Sequence, residues 1–150
     1  MDDEKNKAIN DTKFQPDLVI YSDGGSRGNP GQSACGFVVE DAAGVVLAES
    51  GEYLGVTTNN QAEYQGVKVA LEKAAQIGGE KILLRADSLL VINQLKGIYK
   101  VKNKDLWPIY ESVVALIKNF KEVRFEHIPR EQNQKADGWV NKTLDRRVSG

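Results

Sequence analysis

The order of strand and helix patterns along the chain is the feature that most constrains its fold. Strand patterns occupy Leu18–Ser22, Ala34–Glu40 and Val45–Glu52, and a short hairpin loop at 41–44 joins the second to the third. Three consecutive strands with short connections predict an antiparallel meander. Two further strands are reached only through helices. The pattern therefore predicts an α/β fold with a five-stranded mixed sheet, three antiparallel strands and then two parallel strands, flanked by helices.

The helices also have recognisable boundaries. Thr58 followed by Gln61, or Asn60 followed by Glu63, suits an N-cap with a capping partner three residues on, and Gly78 ends that helix. The remaining predicted elements are a strand at Lys81–Ala86, a short helix at Ser88–Leu95, a helix that begins near Pro108, a strand at Glu122–Ile128 and a helix from near Asn133 to about Leu144.

A chain of 150 residues is long enough for one domain with its own core. Residues 1–16 lack periodicity and are rich in Asp, Lys and Asn, which predicts a disordered or loosely attached N-terminal arm before a domain at 17–150. No apolar stretch is long enough for a membrane span or a signal-peptide core, so we expect no membrane association and a cytoplasmic location. No sequence pattern indicates an oligomer, and we expect a monomer.

Charge and cysteine content narrow the classes of function. The single cysteine, Cys35, excludes an internal disulfide and a cysteine-based zinc site, and the single histidine, His127, excludes a histidine-rich metal centre. The net charge is −1, so no overall positive field indicates a nucleic-acid partner. The basic stretch at 96–104 contains four lysines and a tyrosine, and its charge alone favours a solvated loop over a nucleic-acid contact.

Four acidic side chains occupy positions from which a site can be built. Asp23 ends the first apolar run, Asp87 ends a later one, and Glu63 and Asp137 fall in the first turns of two predicted helices. Strand ends and helix starts can converge on one pocket of an α/β fold, so we expect these acids to meet there. Clustered carboxylates repel one another unless a cation lies among them. The sequence therefore predicts a divalent-metal site used for metal-assisted hydrolysis.

Each of these features has an ordinary alternative when it is taken alone. Asp87 could be the N-cap of the next helix, and Asp137 could be a first-turn acid favoured by the helix dipole. The segment 57–63 suits a helix cap as well as it suits exposed amides that contact sugar and base edges in a minor groove. The glycine-rich segment 23–31 is predicted to be a turn, because it lacks the lysine and the following helix of a phosphate loop. An acid directly before such a turn suits a metal beside a phosphate.

Taken together and in this order, the motifs resemble those of a known family. They are SDGGSRGNPG at 22–31, TNNQAE at 58–63, ADS at 86–88 and NQKAD at 133–137. On these motifs the chain from about Asp17 to Leu144 resembles type 1 ribonuclease H, in a short form without the basic protrusion that some bacterial members carry. The resemblance implies a ribonuclease H-like fold with a five-stranded mixed sheet, in agreement with the element order.

The resemblance also implies an activity and a set of site residues. Members are endoribonucleases that hydrolyse the RNA strand of RNA–DNA hybrids by a two-metal-ion mechanism and leave 5′-phosphate and 3′-hydroxyl ends. Two Mg²⁺ ions, with Mn²⁺ able to substitute, would be held by the catalytic quartet Asp23, Glu63, Asp87 and Asp137. Substrate contacts are implied for Asn29, Thr58, Asn59, Asn60, Ser88 and Asn133. Of these, Asn59 and Asn60 are expected to help read the 2′-hydroxyl groups of RNA.

Some alternatives stay open at this point. Either His127 or Arg130 could assist product release, in place of the mobile histidine that many members carry. Cleavage at single ribonucleotides within DNA is also open. Two rival functions are a hybrid-binding module without cleavage and another nuclease of the same fold, such as a 3′-exonuclease or a junction resolvase. The intact quartet argues against the first rival, and the pair Asn59-Asn60 with the Gly-Asn-Pro-Gly turn argues against the second.

Overall fold

The computed structural model describes residues 13–149 of the protein and contains one sheet with helices on both faces. The strands are β1 (Leu18–Arg27), β2 (Gly31–Asp41), β3 (Val46–Thr57), β4 (Lys81–Ala86) and β5 (Glu122–His127). The helices are α1 (Asn59–Ile77), α2 (Leu89–Leu95), α3 (Trp107–Ile117) and α4 (Gln134–Ser149). Short 3₁₀ turns at Lys104–Leu106 and Arg130–Gln132 precede α3 and α4.

The predicted mixed sheet is confirmed. Its strand order is β3-β2-β1-β4-β5, with β1, β2 and β3 antiparallel and with β4 parallel to both β1 and β5. A parallel neighbour needs a crossover connection, and the chain supplies α1 before β4 and the pair α2 and α3 before β5. Strand β1 lies at the centre, where the antiparallel half of the sheet meets the parallel half.

The glycine-rich segment differs from the expectation that it is a turn. Strand β1 continues to Arg27, which pairs with Gln32 of β2, and β2 begins at Gly31, so the turn itself contains only residues 28–30. Gly28 lies in this turn with φ of 90°, a conformation that glycine adopts without steric cost. The apolar pattern of the strand ends before its hydrogen bonding does, because Gly24 and Gly25 contribute no side chain, and at Gly24 the close approach of Ala62 leaves no room for one.

Helix boundaries follow the capping chemistry of the sequence. Thr58 is the N-cap of α1 and forms a capping box with Gln61, which decides between the two caps that the sequence allowed. Gly78 ends the helix in the left-handed conformation, with φ of 92°. Ser88 is the N-cap of α2, and Pro108 lies in the first turn of α3 as predicted.

Two apolar clusters hold the layers together. The larger one lies between the sheet and helices α1 to α3 and includes Ile20, Val39, Leu71, Leu84 and Val113, all fully buried. Each such side chain contributes about 1.5–3 kcal/mol of hydrophobic free energy. The smaller cluster contains Ala34, Val140 and Leu144 and packs α4 on the opposite face of the sheet.

Two of the first described residues, Phe14 and Asp17, contact strands of the sheet or the residues next to them. The carboxylate of Asp17 accepts hydrogen bonds from the backbone N–H groups of Glu80 and Lys81, at 3.0 and 2.8 Å. The Arg124 guanidinium lies 4.0 Å from the ring centre of Phe14. The predicted arm at 1–16 falls mostly on residues 1–12, which are outside the described residues, so its disorder stays a prediction. Among residues 13–149, none of the helices has the length and apolar character needed to cross a bilayer.

Candidate active site

The four acids of the quartet line one cleft at the end of the sheet. One carboxylate oxygen from each of Asp23, Glu63 and Asp87 lies within 4.8 Å of the others. Asp137 lines the same cleft, which has a volume of about 470 Å³, and its negative charge is close enough to raise the pKa of Asp23. Residues more than a hundred positions apart in the sequence therefore meet at one site.

Asp23 lies inside β1, which corrects the expectation that it ends the strand. On the antiparallel side, Asp23 pairs with Gly36 and the strand continues for four more residues. On the parallel side, the pairing of β1 with β4 stops at Tyr21 and Arg85. Asp23 is thus just past the last parallel pair, where the sheet opens into a crevice. Its side chain is only 7% exposed, so it forms the floor of the cleft.

Glu63 reaches Asp23 because α1 packs unusually close to β1. A β-carbon at Gly24 would lie 2.1 Å from the carbonyl oxygen of Ala62, and one at Gly66 would lie 2.5 Å from that of Asp23. Both glycines are therefore required for the close approach of helix and strand. Glu63 is the fifth residue of α1, so it lies in the second turn of the helix, contrary to the prediction of the first turn.

Asp87 directly follows β4 and does not cap the next helix. Ser88 is the N-cap of α2, and its hydroxyl oxygen accepts a hydrogen bond from the N–H of Val91 at 3.3 Å. The capping alternative for Asp87 is therefore wrong, and its carboxylate is directed to the cleft. The amide Nδ2 of the buried Asn133 donates to Asp87 at 3.4 Å and to the carbonyl oxygen of Ser22 at 2.9 Å.

Asp137 lies in the first turn of α4, as predicted. The helix can lie close to β2 because Gly36 has no side chain. A β-carbon there would lie 2.7 Å from the backbone of Ala136 and from the β-carbon of Trp139. One helical turn further on, the amide Nδ2 of Asn141 donates to the carboxylate of Asp137 at 3.3 Å. Helix α4 thus supplies part of the lining of the cleft.

The cluster is electrostatically strained. Burial, followed by the negative charges of Asp87 and Asp137, raises the pKa of the Asp23 carboxyl from its ordinary 3.8 to about 8, against a lowering hydrogen bond from the backbone of Gly24. Burial and the charges of Asp23 and Asp87 likewise raise the pKa of Glu63 well above its ordinary value. Both shifts mean that these carboxylates resist ionisation until a positive charge neutralises the cluster.

This donor set fits a divalent cation. Three carboxylates with oxygens this close offer hard ligands, which Mg²⁺ and Mn²⁺ prefer, and the described part of the cleft contains no histidine or cysteine that would favour a softer metal. A cation would also remove the repulsion that raises the pKa of Asp23 and Glu63. Asp23, Glu63 and Asp87 form the tight group, and Asp137 lines the same cleft outside it.

The residues predicted to contact substrate occupy different settings. The side-chain oxygen of Asn59 accepts hydrogen bonds from the N–H and hydroxyl groups of Ser26, at 2.9 and 3.0 Å, and that of Asn29 accepts from the N–H of Asn59 at 3.0 Å. Asn59 lines the cleft, and Asn60 is half-buried beside it on α1. Thr58 and Ser88 are helix caps, and Asn133 is buried. Their contacts with substrate stay a prediction.

Three further residues with a charged or amide side chain line the cleft. Arg130 and His127 are the two residues that the sequence analysis considers for product release. Arg130 lines the cleft, whereas the exposed His127 does not. Arg27 and Asn141 were missed. The sequence pattern indicates both residues. Arg27 and Asp23 are separated by an even number of positions, so they lie on the same face of the strand, and Asn141 lies four residues after Asp137 on one helix face.

The comparisons with known proteins agree with this fold. Residues 21–143 match the family model described as reverse transcriptase-like. A ribonuclease HI of Halobacterium salinarum is 42% identical over 87% of this chain and 68% of its own length. A crystal structure of LC11 ribonuclease H1 in complex with an RNA/DNA hybrid is 38% identical and superposes with a TM-score of 0.84, over 87% of this chain and 99% of that one.

The fold and the acidic cleft define a nuclease-type domain of the ribonuclease H class. The chain belongs to the type 1 ribonuclease H family, which confirms the predicted family. It also matches a protein of Mycobacterium tuberculosis that is described as bifunctional, with 42% identity over 85% of this chain. The chain spans about a third of the length of that relative (35%).

Proposed function

We propose that this protein is an endoribonuclease that hydrolyses the RNA strand of RNA–DNA hybrids with two bound divalent ions and leaves 5′-phosphate and 3′-hydroxyl ends. The observation that carries the proposal is the convergence of Asp23, Glu63 and Asp87 within 4.8 Å, with Asp137 in the same cleft. A protein that only binds nucleic acid gains nothing from buried acids that repel the phosphates of its ligand.

The four carboxylates would hold the ions, either Mg²⁺ or Mn²⁺. Bound there, the ions would supply an activated water and stabilise the negative charge that develops at the phosphate. The protein fixes the ligands in advance, because Asp23 is on the central strand, Glu63 is held by the close packing of α1, and Asn133 restrains Asp87. A pre-positioned set of ligands reduces the reorganisation that the reaction needs.

The amides beside the cleft are oriented to donate hydrogen bonds. A backbone N–H can only donate, so the N–H groups of Ser26 and Asn59 fix the side-chain oxygens of Asn59 and Asn29 toward the protein. The amide nitrogens of the same two side chains then point away from those N–H groups. They present donors to acceptors of a bound minor groove, including the 2′-hydroxyl oxygen that distinguishes RNA from DNA. This arrangement supports recognition of the RNA strand.

Arg130 is the cation suited to a phosphate at this site. It lines the cleft from the 3₁₀ turn before α4 and carries a permanent charge with a planar set of donors. Its place in the same cleft as the acids supports a contact with the phosphate near the scissile bond and a role in releasing the product. The exposed His127, which the cleft lining does not include, is less well placed for that role.

The direct test is cleavage of three labelled duplexes in Mg²⁺, namely RNA–DNA hybrid, double-stranded RNA and double-stranded DNA. We expect internal cuts in the RNA strand of the hybrid and products with 5′-phosphate and 3′-hydroxyl ends. Asp23→Asn or Glu63→Gln should reduce the rate by roughly 10³-fold or more. Glu111→Gln, which changes an exposed acid on α3, is the matched control and should cut normally.

The same assay separates the rival functions. Tight binding of the hybrid by the unmutated protein without any cleavage in Mg²⁺ or Mn²⁺ would favour a binding module. Products shortened stepwise from one end would favour an exonuclease. The predicted cytoplasmic location and monomeric state are part of the proposal and are checked by fractionation and by the mass of the protein in solution.

A further inference from the structure

A second groove continues from the active-site cleft along the end of α4. Its lining is formed by Arg27, Gln32, Tyr53, Leu144, Arg147 and Val148, and we call it the Arg147 groove. Arg27 and Leu144 also line the cleft, so the two depressions are contiguous. The volume of the groove is about 410 Å³, close to that of the cleft itself.

The two depressions differ in charge. Four acids line the cleft, whereas the lining of the groove contains two arginines and no acid. A polyanion held at the acids through metal ions would therefore meet positive charge as it leaves the cleft in this direction. A continuous phosphodiester strand carries a negative charge at every phosphate. Metal ions would neutralise the phosphates in the cleft, and the arginines would neutralise those in the groove.

The side chains of the groove are available for such a contact. The Arg27 guanidinium pairs with Asp145 at 2.6 Å, but the two side chains are 44% and 68% exposed. An ion pair this open contributes little stability, so Arg27 can exchange Asp145 for a phosphate. The Arg147 guanidinium lies over the ring of Tyr53 at 4.4 Å, and the Tyr53 hydroxyl donates to the side chain of Gln32. The contact with Tyr53 keeps the Arg147 guanidinium in the lining of the groove.

We propose that the Arg147 groove binds the phosphodiester backbone of the hybrid beyond the scissile site, with phosphates against Arg27 and Arg147. This inference rests on the proposed function, because it concerns the path of the same substrate. It gives the chain a substrate contact on the side of α4, in addition to the contacts implied by its motifs. It also distinguishes the two basic residues in the last turn of α4, because Arg147 lines the groove and Arg146 does not.

The first experiment measures the affinity of the full chain for a fluorescent RNA–DNA hybrid as a function of salt, in Ca²⁺ so that the hybrid stays intact. We expect Arg147→Ala to weaken binding by about three- to tenfold and to reduce the salt slope by about 1. Arg147→Lys, which keeps the charge, should retain most of the slope. Arg146→Ala removes the same charge from the same turn and should change the slope far less. Equal losses in the two alanine variants would overturn the proposal, because bulk charge would then explain them.

The second experiment locates the contact. A duplex with a short run of ribonucleotides fixes the position of cutting, and neutral methylphosphonate linkages are placed one at a time outside that run. At one or two positions the neutral linkage should lower kcat/KM for the unmutated protein and for Arg146→Ala, but not for Arg147→Ala. If the unmutated protein cuts the parent duplex and no position shows this difference, the groove is excluded while the proposed function stands. If it cuts no ribonucleotide-containing duplex, the proposed function itself has failed.

Discussion

Gly66 of α1 lies directly against the backbone of Asp23. A β-carbon at residue 66 would be 2.5 Å from the Asp23 carbonyl oxygen, well inside van der Waals contact. The absence of a side chain at this one position lets α1 approach the central strand, and Glu63, three residues earlier on the same helix, is thereby brought to the Asp23 carboxylate. A packing detail of the helix–strand interface thus sets the geometry of the proposed metal site.

The Gly66 contact makes a prediction about two helical glycines. Gly66→Ala should force α1 away from β1, lower the free energy of unfolding by about 1–3 kcal/mol and reduce kcat by separating Glu63 from Asp23. Gly138→Ala is the matched control, because a β-carbon there has no neighbour within 4 Å. It should raise stability by up to about 1 kcal/mol through helix propensity alone. Denaturant unfolding and hybrid cleavage measure both effects.

The opposite ranking of the two variants would contradict the close-packing argument. If Gly66→Ala were as stable and as active as the unmutated protein, the distance between α1 and β1 would not control the site. Alanine is a good helix former, so any loss at residue 66 has to come from the contact with Asp23 and not from helix propensity.

A pH dependence of metal-free stability follows from Asp23. The folded state raises the pKa of its carboxyl from 3.8 to about 8, so between these values the folded protein holds a proton that the unfolded chain releases. The stability contributed by the protonated acid is complete below pH 3.8 and is lost as pH rises through about 8. In EDTA, we therefore expect Asp23→Asn to be more stable than the unmutated protein at pH 8, by on the order of 3 kcal/mol.

Thermal unfolding between pH 5 and pH 9 tests this expectation. The Tm of Asp23→Asn is compared with the Tm of the unmutated protein at each pH. Adding Mg²⁺ should raise the Tm of the unmutated protein at pH 8 and should have little effect on Asp23→Asn, because a bound cation favours the ionised carboxylates. A stability difference that does not change with pH would show that Asp23 is not the strained acid.

Asn133 is predicted to act as a positioning residue for Asp87. Its buried amide bonds to the Ser22 carbonyl oxygen and to the Asp87 carboxylate, so Asn133→Ala should cost about 1–3 kcal/mol of stability and lower kcat more than it raises KM. Asn141→Ala is the control, since this exposed amide contacts Asp137 without being buried, and its stability should change by less than about 0.5 kcal/mol. Equal stability of the two variants would argue that the buried amide has no structural role.

Arg130 and His127 are predicted to behave differently. Arg130→Ala should slow multiple-turnover cleavage of the hybrid by about tenfold or more, because the cleft would lose a cation suited to the phosphate. His127→Ala should leave the rate nearly unchanged, as its side chain is exposed and is not part of the lining of the cleft. Comparing the rate of the first turnover with the steady-state rate shows whether Arg130 acts on chemistry or on product release. A larger effect at His127 would reverse the assignment.

Much of the fold was predictable because the local signals were consistent. The capping box of Thr58 and Gln61, the terminal Gly78 and the alternation in β4 each specify a boundary through interactions within a few residues. The errors have two causes. The end of β1 depends on its pairing with β2, which no local pattern encodes. The turn that contains Glu63 and the cap of α2 depend instead on which of two neighbouring polar residues caps the helix, and the sequence allowed both.

By itself, the sequence determined the element order, the family and the identity of the four acids, because strand alternation, helix caps and short motifs are properties of neighbouring residues. Only the tertiary structure decided that Asp23 is buried inside a strand, that Gly24 and Gly66 bring Glu63 to it, and that Arg130 enters the cleft while His127 does not. The physical reason is that ligand distances and pKa shifts arise from the packing of α1 and α4 against the central strands. Packing is set by side chains that are far apart in the chain.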